Sequence, residues 1–407
     1  MRISHEPMPK AELALRHERC RALLDRFAPG AGGLLAFARP NIYYLAGVMG
    51  AALVWLPKEG EPLLFVRKGL ERARLDSPDM AVAQYRSYGD LAELAAAHGA
   101  PLTPVIAAEQ SALSWALADN LKKRLPDISF ISGDAVLPRA RAVKTVWELA
   151  KMREAGRRHA EAMEELLPRV IEPGMTELEI ARKTLEAFAD LDGLGSTRMS
   201  NFGEELILGA VSAGDNGNYP TFYNGPLGGM GAHPSVPFLG CPRTVWKENH
   251  VLMIDVGFSF EGYNSDKSIT YFSGGRRDIP AVVQKAHDAC RRIEERAAAK
   301  LRPGALPMDI YRAALAEADE AGFAEGFMGH GGNKVPFLGH GIGLCIDDWP
   351  PIADRFDTPI EDGMTFALEP KVGLPGIGMV GTENTWLVTP EGGECLSGGI
   401  RDIVCVE

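Results

Sequence analysis

Apolar positions recur at helical spacing over residues 10–27 and predict an amphipathic helix. A glycine-rich turn follows, and then the apolar runs LLAFA, PNIYYLAG, AALVWLP and PLLFVR, which are strand candidates. Helical patterns return near 90–98 and 108–124, so this part of the chain predicts an α/β domain. The segment SGDAVLPRARAVKT carries a turn, a proline and a basic run without an apolar period, and sets a boundary near 140, between domains 1–140 and 141–407.

The second domain opens with a long helical pattern over TVWELAKMREAGRRHAEAMEELLPRV. A further helix begins at GMTELE, where Thr176 and Glu179 have the spacing of a capping box. From Pro280 to about Lys300, Val283, Ala286, Cys290, Ile293 and Ala297 recur on one face. Strand-rich stretches lie between and after these helices, so the fold class is α+β. Residues 214–242 are too rich in Gly and Pro for regular structure, and a loop of this length with aromatics and His233 is expected to face a substrate.

Composition narrows the function. The chain has 407 residues, 46% hydrophobic and 24% charged, with no apolar run long enough to span a bilayer. A soluble protein with no membrane partner is expected, and the polar N-terminus makes the cytoplasm the expected location. Six scattered cysteines without CxxC pairs predict reduced, structural thiols. A net charge of −11 with no basic stripe excludes a nucleic-acid partner.

The strongest chemistry lies in VLMIDVGFSFEGYNSDKSITYF, which reads as a hairpin centred near Phe260 and Glu261. Asp255 and Asp266 are equidistant from that centre and would face each other, an arrangement that needs a neutralising cation. Around LPGIG, centred on Gly376, Glu369 and Glu383 are again equidistant and again sit in apolar strands. His340 lies between two glycines in GHGIGLCIDDWP. Four carboxylates and an imidazole suit two divalent first-row ions, Mn²⁺, Co²⁺ or Fe²⁺ ahead of Zn²⁺. Such a pair can hold a bridging hydroxide as nucleophile and polarise a carbonyl.

The order Asp, Asp, His, Glu, Glu in MIDVG, NSDKS, GHGIG, ALEP and GTEN resembles that of the pita-bread metallohydrolases: aminopeptidase P, prolidase, methionine aminopeptidase and creatinase. The match spans about 145–407, and PNIYYLAG with PLLFVRKGLERAR resembles the creatinase-type N-terminal domain. The resemblance implies a pita-bread catalytic domain behind an α/β N-terminal domain, with Asp255, Asp266, His340, Glu369 and Glu383 as metal ligands. It further implies that Glu369 shuttles protons beside the hydroxide, that the protein is a homodimer, and that it cleaves a C–N bond, often before proline.

Three departures bear on the substrate. Pro336 and Asp347 stand where relatives usually carry histidines that contact the scissile amide, donors worth about 2–4 kcal/mol each in the transition state. Gly381 stands where an arginine often supports the ligands. His233 and His330 are the candidate replacements, and Asp347 favours a cationic substrate group. Three readings stay open: a dinuclear metallopeptidase of short peptides of the Xaa-Pro aminopeptidase or dipeptidase kind, a metal-dependent hydrolase or lyase of a small cationic or zwitterionic metabolite, and a non-catalytic binding protein.

Overall fold

A computed structural model describes residues 6–193, 197–200, 204, 206–222, 224–399 and 402–407. The chain divides into two compact units, Met1–Arg141 and Ala142–Glu407.

In the first unit the helix predicted over 10–27 spans Lys10–Phe27, and a six-stranded sheet forms the core. Its strand order is Ala81–Gln84, Leu63–Val66, Ala52–Pro57, Gly33–Ala36, Val105–Ala108 and Ser129–Ser132. Leu35, Trp55, Phe65 and Ile106 are buried together on it. Two expectations need correction. PNIYYLAG forms a helix, Arg39–Ala46, not a strand. Pro40 lies in its first turn, where a missing N–H costs nothing, and Gly47 ends it in the left-handed region at φ 66°, so the punctuation outweighs the apolar run. The helix expected over 108–124 begins only at Trp115, where Ser114 caps it by accepting from the Leu117 amide. The proline-containing segment near the boundary coils into a short helix, Val136–Ala142.

The second unit packs helices onto antiparallel sheet. Helix Val146–Glu161 starts at a capping box formed by Thr145 and Glu148. It loosens into a π turn at Ala162–Leu166 and a 3₁₀ turn at Leu167–Arg169, where Pro168 cannot continue an α-helical ladder, instead of running on to 170. Thr176 and Glu179 make the predicted capping box for helix Glu177–Asp190. Helix Ala281–Ala299 buries the predicted face, Val283, Ala286, Cys290, Ile293 and Ala297.

That helix and Pro307–Glu320 share a core with a five-stranded sheet ordered Asp348–Ala353, Phe337–Gly341, Thr365–Leu368, Asn384–Thr389 and Gly392–Cys395. Helices Val146–Glu161 and Glu177–Asp190 share another with the sheet Val404–Val406, Tyr263–Ser273, Val251–Phe260 and Gly209–Ala213. Each fully buried Ile or Phe in these layers contributes about 1.5–3 kcal/mol. A two-stranded hairpin, Lys371–Leu374 with Gly378–Gly381, completes the unit.

Within 214–242 the described residues hold a 3₁₀ turn, Gly214–Asn218, and isolated bridges, but no α-helix. Among the described residues no helix is long and apolar enough to cross a membrane. All six cysteines are free thiols.

Candidate metal centre

Strand register assembles the site. The first hairpin turns at Glu261 and Gly262, both at positive φ (48° and 88°), a combination that a two-residue hairpin of right-handed twist requires and that Gly262 makes easy. The centre is therefore one residue later than the sequence suggested. Asp255 faces Ser268, and Asp266 faces Gly257; the two acids are diagonal neighbours, not direct partners. The shift moves each partner by two residues, which preserves the face, so both carboxylates still point the same way.

Ser268 links this hairpin to the next strand, because on its other side it forms a backbone bridge with Glu383. Glu383 in turn opposes Glu369. The pairs Leu368 with Asn384 and Lys371 with Gly381 lie on either side of them in one continuous register centred on Gly376. His340 pairs with Ala367, two residues before Glu369 and so on the same face. Five donors, each from a different strand or strand end, thereby reach one place: Asp266, His340 and Glu383 bring ligand atoms within 4.8 Å of one another, as do Asp255, Glu369 and Glu383.

The glycines beside His340 are explained by close strand approach. A Cβ at Gly339 would collide with the Ala367 carbonyl, and one at Gly341 would sit 2.7 Å from the Asp348 carbonyl oxygen. His340 Nδ1 donates to the Gly341 carbonyl at 3.1 Å. That tautomer turns the Nε2 lone pair toward Glu369 Oε1 at 3.6 Å and Asp266 Oδ2 at 4.0 Å.

The electrostatics are those of a site built around cations. Burial pushes the Asp255 carboxyl up to about 6, with Lys371 opposing and Glu383 reinforcing the rise. Burial, and then repulsion from Glu383, Asp255 and Glu369, holds Asp266 well above the usual carboxylate range. The residues therefore fit divalent ions: oxygen donors in excess, one imidazole of fixed tautomer, and no thiolate.

One residue was missed in the sequence. Lys371, fully buried, places Nζ 2.8 Å from Glu383 Oε2, 2.9 Å from Glu369 Oε2 and 3.2 Å from Asp255 Oδ2. Burial lowers its basicity, but the three carboxylates outweigh that and raise it well above the usual lysine range. The signal was present, since alternation from Glu369 puts Lys371 on the same face.

The other candidates are placed as follows. Asp347 is partly buried and accepts from the Ser200 amide at 2.6 Å and the Ser200 hydroxyl at 3.0 Å. Burial raises its carboxyl, opposed by the hydrogen bonds from Ser200. His330 packs against Gly373 of the second hairpin, and its Nδ1 has no hydrogen-bond partner among the described residues. His233 is exposed, its Nδ1 2.7 Å from Ser235 Oγ and accepting from the Ser235 amide, and it is not among the converging donors.

Known proteins share this architecture. The chain is 27% identical over 314 residues, 76% of its length, to the "Probable dipeptidase PepE" of Mycobacterium tuberculosis, 71% of which is covered. It is 23% identical over 374 residues to the Xaa-Pro dipeptidase of Pyrococcus furiosus, covering 90% of this chain and 94% of that one. In fold it matches the Xaa-Pro dipeptidase from Bacillus anthracis with a TM-score of 0.79 and 23% identity, over 97% of this chain and 99% of the other. The X-Pro aminopeptidase from Thermotoga maritima gives 0.77 at 23% identity, over 96% and 99%. Residues 16–143 match the creatinase/prolidase N-terminal domain. Residues 150–390, more than half of the chain and all five converging donors, match the model of metallopeptidase family M24, and the chain belongs to that family.

Proposed function

We propose that the protein is a dinuclear metal-dependent hydrolase that cleaves a peptide C–N bond in short peptides, as an Xaa-Pro aminopeptidase or dipeptidase does. The observation that carries this reading is the convergence of four carboxylates and one imidazole in a buried pocket of family M24 architecture. Similarity to proteins named Xaa-Pro dipeptidase and dipeptidase supports a short peptide as substrate.

Asp255, Asp266, His340, Glu369 and Glu383 would hold two ions, Mn²⁺ first among the candidates with Co²⁺, Fe²⁺ or Zn²⁺ as substitutes. When bound, such ions make water nucleophilic near neutral pH and polarise the scissile carbonyl. Glu369, next to His340, would also move the proton, taking it from the attacking water and returning it to the leaving amine. Asp347, held by Ser200, presents an anion for the substrate ammonium. Of the two histidines, His330, with its unpartnered Nδ1, is the better suited to donate to the amide, whereas His233 is engaged by Ser235.

A second reading, a hydrolase or lyase of a small cationic or zwitterionic metabolite, is favoured by one observation: Asp347, a partly buried acid held by Ser200, suits a cationic substrate group. Retention of all five donors favours catalysis over a binding protein. The deciding experiment is amino-acid release from a panel of di- and tripeptides, with and without proline, by protein reconstituted with Mn²⁺. Release from peptides supports the first reading; turnover of amine, guanidinium or sulfonium compounds alone supports the second. We further propose a homodimer, checked by light scattering.

A further inference from the structure

Among the described residues Lys371 is the one cation that touches three of the five donors, and its place is built into the backbone. Its strand partner is Gly381, where a Cβ would lie 2.7 Å from Lys371 Cα and 2.9 Å from its Cγ, so the glycine makes room for the lysine stem. The Lys371 carbonyl accepts from the Met328 amide at 2.8 Å, which fixes the strand from its other side. The stem is fully buried, and the ammonium meets three carboxylate oxygens with its three N–H donors.

The lysine engages one oxygen of each acid. Glu383 Oε2 also accepts from Ser268 Oγ at 2.6 Å, so that oxygen is doubly committed. Glu369 gives Oε2 to the lysine and turns Oε1 toward His340. An ammonium that occupies one oxygen of each carboxylate leaves the partner oxygen free and fixes the rotation of the group about its last bond. Charges of one sign crowded in a buried pocket would otherwise splay apart.

Building on the dinuclear reading, we propose that Lys371 is a positioning residue, a resident cation that stays in place when the centre is loaded and holds Asp255, Glu369 and Glu383 with one oxygen each presented for metal. It acts on the ligands as outer partners of metal ligands do, and removal of such partners typically weakens metal binding by about 10–100-fold.

Metal-stripped wild type titrated calorimetrically with Mn²⁺ should take up two ions per chain. Lys371→Met, with an unchanged circular dichroism spectrum, should bind them about 10–100-fold more weakly. Equal or tighter binding by Lys371→Met would overturn the proposal, because it would make the lysine a competitor of the metal. Should that variant not fold, an anomalous-scattering crystal structure of Mn²⁺-loaded wild type decides. Two ions with Nζ still bonded to the three carboxylates support the proposal; a displaced Nζ, or a single ion beside the lysine, contradicts it and leaves the metallohydrolase reading standing. If wild type binds no ion, the metallohydrolase reading itself fails, and the proposal with it.

Discussion

At the scale of single residues, the proposed function assigns metal holding to the five converging donors and the substrate ammonium to Asp347. Asp266 lies in the pocket with His340 and Glu383, so Asp266→Ala should abolish Mn²⁺-dependent peptide release, lowering kcat/KM by about 10³-fold or more. Residual activity within tenfold of wild type would remove Asp266 from the centre. The Asp347 carboxylate is held by the Ser200 amide and hydroxyl and lies outside the converging donors. Asp347→Asn should therefore leave metal uptake intact while raising KM for substrates with a free ammonium by about tenfold, as for loss of one charge-assisted contact. The acids and His340 were legible in the sequence because each is a polar residue in an apolar strand, which is costly without a purpose. Lys371 was overlooked, since a lysine is normally read as solvated, although alternation from Glu369 puts it on the donors' face and its strand partner Gly381 makes space for it.

At the scale of elements, the helices with caps and an apolar face were legible, as Thr176 with Glu179 and the buried face of Ala281–Ala299 show. Composition misled where short apolar runs could be either helix or strand, as at Arg39–Ala46. The first hairpin was legible in kind but not in register, because the turn depended on positive φ at Glu261 and Gly262, and counting from the midpoint of the apolar runs missed it. Close packing around the His340 strand leads to a test. Gly339→Ala should lower the melting temperature by several degrees, because the added Cβ meets the Ala367 carbonyl and the strands must part, at about 1–3 kcal/mol. An unchanged melting temperature would contradict the strand spacing. Behind the same sheet, burial pushes Glu294 up to about 7 although Asn384 and Trp386 donate to it. The folded state then holds this proton more tightly than the unfolded chain, so stability is lost as pH rises from about 4.5 through about 7. Glu294→Gln, which has no proton to lose, should gain stability relative to wild type over that window, measured by urea unfolding at pH 5 and pH 8.

For the whole molecule, metal and protons compete for one pocket. With no metal bound, Asp255 and Asp266 titrate above their unfolded value of about 3.9, so the folded protein binds the extra protons and loses stability as pH rises through about 6. Ions need the same groups deprotonated, so their contribution grows over the same range. The gain in melting temperature on adding Mn²⁺ should be larger at pH 8 than at pH 5; an equal gain at both would contradict the coupling. The division into two units was legible from length and the boundary segment and the family from the five-part motif, whereas the substrate was not, because side chains such as Asp347 and His330 meet neighbours from distant segments. The most direct test is the release of amino acids from short peptides by the wild-type protein stripped with chelator and then reloaded with Mn²⁺. Activity that is absent after stripping and returns with about two ions per chain is the expected result. A fully loaded protein that cleaves no di- or tripeptide would contradict the peptidase reading.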